Sequence, residues 1–141
     1  MRAREQLLHG WGRCPIVRSR VYRPESLRSL QEVVASAEKI LPYGNLRSYG
    51  DAPLAGATID MRMLDRILAF DREKGVVTVE AGVVFAELLD VLVPEGWFVP
   101  VTPGTKFLTA GGAVAGNVHG KNHHCAGSFG NFVTALTLVT A

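Results

Sequence analysis

The chain has 141 residues, 48% of them hydrophobic and 20% charged, which suffices for one domain with a real core. Fifteen basic against thirteen acidic residues leave a net charge of +2 with no basic run, so nucleic acid is not an expected partner. No apolar run is long enough to span a bilayer, and MRAREQLLHGWGR lacks the apolar stretch of a signal peptide, so a soluble cytoplasmic protein without a transmembrane segment is expected. Cys14 and Cys125 stand too far apart in the chain to suggest a disulfide scaffold.

VRSRVY at 17–22 reads as a short strand. Pro24, Glu25 and Ser26 then open a helix over 24–38, in which Leu27, Leu30, Val33, Val34 and Ala37 recur at helical spacing. Ile40-Leu41 begins a buried strand that runs into the loop PYGNLRSYGDAPLAG. Thr58–Asp60 is a brief strand, and 66–70 and 75–80 form a hairpin around Asp71–Gly75. A second amphipathic helix spans 84–93, with Phe85, Leu88, Leu89 and Leu92 inward, and Pro94 and Gly96 end it. Trp97–Val99 and Thr134–Ala141 are expected to be strands, and Thr102–Gly130 to hold little regular structure. The chain stops inside that last apolar run, which reads as a fragment of a longer protein. The order of elements predicts an α+β domain with small sheets covered by helices.

Two glycine-rich stretches dominate: YGNLRSYGD at 43–51 and TPGTKFLTAGGAVAGNVHG at 102–120. Each offers main-chain N–H groups with little side-chain bulk, the makings of an anion nest. Neither matches a phosphate loop of the G-x-x-x-x-G-K-[ST] kind or a dinucleotide G-x-G-x-x-G, and each alone is a weak signal.

Together with HGKNHH-C-AGSFGN, these stretches resemble the FAD-binding domain of the vanillyl-alcohol oxidase, or PCMH, type over roughly residues 40–141. The resemblance implies an FAD-binding domain over 17–141, incomplete at its C-terminal end, with residues 1–16 as an extension. It implies that Tyr43, Gly44, Asn45, Leu46, Arg47, Ser48, Tyr49 and Gly50 wrap the FAD pyrophosphate. It implies that Gly104, Thr105, Thr109, Gly111, Gly112, Gly116, Asn117, Val118 and His119 lie against the flavin. The sequence departs at Leu46, where this loop ordinarily has Gly, and at Tyr43, where a basic residue is common. Members with covalent flavin carry His where Arg47 stands, so FAD is expected to be held non-covalently.

His119, His123, His124 and Cys125 are chemically able to bind zinc, but Gly120 and Asn122 break the helix that would align His119 with His123, and no second ligand cluster exists, so no metal is expected. The resemblance sets His119 and Lys121 at the isoalloxazine and the substrate pocket, with Tyr49 as a pocket wall; a buried packing aromatic is the alternative for Tyr49. A cation or donor there would stabilise negative charge on the flavin, and Lys121 would meet an anionic substrate. Trp11 and Trp97 read as packing residues, and Cys125 as a small residue tolerated in the loop. The implied activity is oxidation of a sugar-like alcohol to a ketone by hydride transfer to FAD. A lipid phosphate on the substrate would bring the enzyme to the membrane periphery, and a further C-terminal domain would supply much of the substrate site. The alternative is an FAD- or nucleotide-binding module, or a fragment, without turnover.

Overall fold

A computed structural model describes residues 2–141. The chain divides into two compact units, one running to Leu64 and including Thr137–Ala141, the other Asp65–Leu136.

The first unit is built on a four-stranded sheet in the order β1-β2-β4-β3, with β1 at Arg4–His9, β2 at Ile16–Tyr22, β3 at Leu41–Tyr43 and β4 at Ala57–Asp60. β1 runs antiparallel to β2, pairing Leu8 with Val17. β2 and β3 both run parallel to β4, so Val21 and Leu41 flank Thr58 on either side. Within the 1–16 segment, therefore, Arg4–His9 is a strand of this sheet, a role its sequence alone did not signal. In β2 the two-residue period turns Ser19 and Val21 inward and leaves Arg18 and Arg20 exposed. Ser19 is buried without penalty because its hydroxyl meets that of Thr58 at 2.8 Å.

Helix α1 spans Leu27–Ser36. It starts later than the sequence suggests because Ser26 wins the cap: its hydroxyl accepts from the Ser29 amide at 3.2 Å while the Ser29 hydroxyl accepts from the Ser26 amide at 3.1 Å. Leu30 and Val33 are buried against Ile59 and Leu64, with Val34, Tyr22 and Val139 packed around them. A second cluster joins Leu8, Val21 and Tyr43 to Leu46 and Leu54.

The second unit opens with the hairpin β5 (Ile67–Asp71) and β6 (Val76–Val79). Its turn is made by the Asp71 carboxylate, which accepts from the amides of Glu73 and Lys74, and by Gly75 at φ 63°. Gly75 must be glycine on a second ground, since the Trp97 ring lies where a Cβ would stand. Helix α2 (Phe85–Leu92) buries Phe85, Leu88 and Leu92 as the spacing predicts, and Gly96 at φ 80° closes the turn beyond it. These side chains pack with Val83, Val99, Leu108 and Ala113 into the core of this unit.

Three expectations need correction. Trp97–Val99 is not a strand, although Val99 is buried, and Thr134–Ala141 is not one either. In both, β-prone side chains meet no neighbouring ladder among the described residues, and propensity without a hydrogen-bonded partner does not make a strand. The stretch 102–130 is also more regular than its glycines suggest. It holds α3 at Ala110–Ala115, α4 at His123–Ala126 and a 3-10 turn at Phe129–Phe132.

Candidate functional site

Loop 43–50 leaves β3 with Tyr43 turned inward. Tyr43 is 4% exposed, so this position gives an aromatic to the core. Its hydroxyl is buried and has no hydrogen-bond partner among the described residues. Burial, helped by the nearby Asp60 carboxylate, pushes its pKa up to about 12, so it stays neutral.

Leu46 then adopts φ 52°, a left-handed conformation that favours glycine. The sequence suggests that Leu46 narrows the loop. In the fold its side chain packs against the Leu8, Val21 and Tyr43 cluster instead. Apolar burial offsets a left-handed penalty of roughly 1–2 kcal/mol. Gly50 reverses the chain again at φ 56°, and a Cβ there would meet nothing within 4 Å. The amides of Leu46, Arg47, Ser48, Tyr49 and Gly50 donate to no main-chain carbonyl among the described residues. This is the arrangement an anion nest needs.

The loop faces a cavity of about 530 Å³ lined by His9, Gly10, Trp11, Arg13, Asn45, Leu46, Arg47 and Arg62. Three arginines therefore border one cleft of the first unit. Arg62 is held in place by the buried Asp60, whose carboxylate takes two bonds from its guanidinium at 2.8 and 2.7 Å and one from Arg23 at 2.9 Å. Burial by itself would raise the pKa of Asp60, but the bonds from Arg62 and the charges of Arg62 and Arg23 outweigh it and hold the carboxyl below its ordinary value. Two guanidinium groups against one carboxylate leave this cluster with one net positive charge. Tyr49 is 79% exposed and meets Trp11, itself 61% exposed, edge to face at 5.9 Å between ring centroids. The packing alternative for Tyr49 therefore fails, and so does the reading of Trp11 as a packing residue. Trp97 does pack, on Gly75, with its indole N–H donating to the Arg72 carbonyl at 3.0 Å.

The second glycine-rich stretch differs from its reading as a run of exposed amides. Thr109 caps α3, accepting from the Gly112 amide, and its side chain is buried. The amides of Ala110 and Gly111 donate to the Val83 and Ala81 carbonyls at 2.8 Å, and those of Gly116, Asn117 and Val118 to Gly112, Val114 and Ala113. A Cβ on Gly111 would stand 2.8 Å from the Ala81 Cβ, so Gly111 serves helix packing. The Asn117 side chain accepts from the Gly130 amide at 2.9 Å, and Val118 packs on the core. Gly104 is different: it is exposed and a Cβ there meets nothing, beside the half-buried Thr105.

HGKNHH is a turn followed by α4. Gly120 is buried and passes so close to the Thr102 carbonyl that a Cβ would lie 2.5 Å from it. Asn122 donates to the Pro100 carbonyl, and the His123 amide to the Gly120 carbonyl. His119 forms a bridge with Ser128 and lies edge-on to His123 at 5.2 Å. His119 and Lys121 are exposed, and Lys121 pairs with no carboxylate among the described residues. No group of three or more His, Cys, Asp or Glu is placed to hold a metal ion among the described residues.

Sequence reasoning missed His9, Trp11, Arg13 and Arg62. The signal available was GWGR, a glycine-spaced turn with a cation, but its neighbour in space is thirty-odd residues away in the chain.

Loop amides without main-chain acceptors among the described residues, beside arginines on a mixed sheet, suit an anionic group. The chain matches the FAD binding domain family over residues 19–141 and belongs to it. It is an FAD-binding domain. It is 42% identical to decaprenylphosphoryl-beta-D-ribose oxidase of Mycolicibacterium smegmatis, covering 95% of this chain and 31% of that one. It is 33% identical to L-gulonolactone oxidase of Bos taurus, covering 93% of this chain and 30% of that one. The chain thus spans less than a third of the length of these relatives. The crystal structure of cholesterol oxidase from B. sterolicum shares the fold, with a TM-score of 0.73 and 19% identity over 84% of this chain and 24% of that one. No helix among the described residues is long and apolar enough to cross a membrane.

Proposed function

We propose that this chain is the FAD-binding share of an oxidoreductase that oxidises a sugar-like alcohol to a ketone. The observation that carries the reading is loop 46–50, whose amides donate to no main-chain carbonyl among the described residues and whose Leu46 and Arg47 border the cavity of the first unit. Its main chain receives the diphosphate, with Arg47 supplying the countercharge. Bound FAD supplies the hydride acceptor. In the second unit Gly104 is the open position of the glycine-rich segment, beside Thr105, while Thr109, Gly111, Gly116, Asn117 and Val118 shape that segment from within. His119, exposed after that segment, donates toward the flavin where negative charge gathers. Lys121 carries an uncommitted charge suited to an anionic group on the substrate, such as the phosphate of a prenyl-phosphoryl sugar. That substrate class is supported by the 42% identity to the decaprenylphosphoryl-ribose oxidase.

Titration of the purified chain with FAD, followed by quenching of flavin fluorescence, tests the reading. Saturable binding that riboflavin does not match supports the diphosphate site. Equal weak binding of both would overturn it.

A further inference from the structure

We propose that the turn between β1 and β2, residues Gly10–Arg13, is a second wall of the anion site and that Arg13 is a direct ligand of the diphosphate. The proposal rests on the FAD reading and extends it to residues that precede the stretch matched by the family, which begins at residue 19.

Three observations carry it. The turn is latched to loop 43–50: the Trp11 amide donates to the Ser48 carbonyl at 3.0 Å. Gly10 is buried at this latch, and a Cβ on it would stand 2.7 Å from the Ser48 oxygen and 2.8 Å from the Gly50 oxygen. No other residue type lets the two segments approach so closely. Finally, Arg13 adopts φ 59° with a long, charged side chain where glycine would be unstrained, and that residue borders the same cavity as Arg47 and Arg62. Arg13 makes no ion pair among the described residues, whereas Arg62 is already committed to Asp60. An arginine held in a strained turn, exposed, and without an acidic partner presents its guanidinium fork to whatever anion enters the cleft. A diphosphate offers oxygens enough for the loop amides and for two forks at once.

Arg13→Gly separates a ligand role from a structural one, because it removes the cation while suiting the backbone conformation. Isothermal titration with inorganic pyrophosphate and with FAD, alongside thermal unfolding, reads both. The expected result is about tenfold weaker binding of each ligand, an unchanged or higher Tm, and partial recovery of affinity in Arg13→Lys. Parental affinity in Arg13→Gly overturns the proposal and leaves the FAD reading standing. A Tm that falls together with affinity also overturns it, since the residue would then be structural. Pyrophosphate binding that depends on Arg13 in a chain that takes no FAD sustains this anion site and removes the FAD reading. A chain that binds neither ligand removes both.

Discussion

Gly111 stands against Ala81 so closely that a Cβ on it would come within 2.8 Å of the Ala81 Cβ, and its amide donates to the Ala81 carbonyl. The glycine that looks like space for a cofactor is therefore space for the protein itself. Gly111→Val should destabilise the chain by about 2–3 kcal/mol through overpacking and a β-branched residue in α3. Gly104→Val, in the open, should leave stability within about 0.5 kcal/mol while reducing FAD uptake. Chemical denaturation beside FAD titration checks both. A Gly104→Val variant with parental FAD affinity removes Gly104 from the site.

Leu46 holds a left-handed backbone by burying its side chain. Leu46→Gly loses the packing and gains an unstrained turn, whereas Leu46→Ala loses the packing and keeps the strain. The alanine variant should be the less stable of the two by about 1 kcal/mol. Equal stability would show that the φ of 52° carries no cost.

Asp60 links stability to pH. Its carboxyl is held below the ordinary carboxylate value in the folded chain because the bonds and charges of Arg62, with the charge of Arg23, outweigh burial. A depressed folded value means that the contribution is complete above the ordinary carboxyl pKa and drains away as pH falls through the lower folded value. Stability should therefore be lost on acidification below about pH 4. Asp60→Asn should cost about 3 kcal/mol at neutral pH, because it strips two guanidinium groups of their partner. It should also flatten the acid limb of a Tm-against-pH curve. A variant that keeps the parental acid limb would assign that limb to other carboxylates.

Arg47 lies in the loop proposed for the diphosphate, and its guanidinium is no nucleophile that would bind the flavin covalently. Acid precipitation of the flavin-loaded chain should release all yellow colour into the supernatant. Colour retained on the pellet after washing would mean covalent attachment elsewhere.

His119 and Lys121 are distinguishable by kinetics in a turnover-competent protein that carries this chain. Lys121→Met should raise KM more than it lowers kcat, with a loss in kcat/KM of about tenfold or more, as expected when a charge contact to bound substrate is removed. His119→Ala should chiefly lower kcat, seen directly as slower anaerobic flavin reduction. If both variants reduce flavin at the parental rate with parental KM, HGKNHH is a structural loop.

The sequence by itself determined the local elements whose information lies within a few residues. The spacing of Phe85, Leu88 and Leu92 made α2, Asp71 and Gly75 made the hairpin turn, and the glycine-rich strings carried the flavin family. It also placed a loop after β3 at 43–50, because a strand running into Gly, Asn and Ser is a local pattern. What it did not determine is how each glycine is used. Gly50 and Gly104 open onto empty space while Gly111 and Gly120 open onto Ala81 and Thr102, and the residue type is the same in all four. Nor did it show that the turn at Gly10–Arg13 borders the loop at Asn45–Arg47, since that meeting is made by strand pairing across the sheet. Tyr43 and Tyr49 make the point within one loop: the first is 4% exposed and the second 79%, and the packing of Leu8 and Val21 against the first is what separates them. Burial is a property of the neighbours a residue acquires on folding, and those neighbours are distant in the chain.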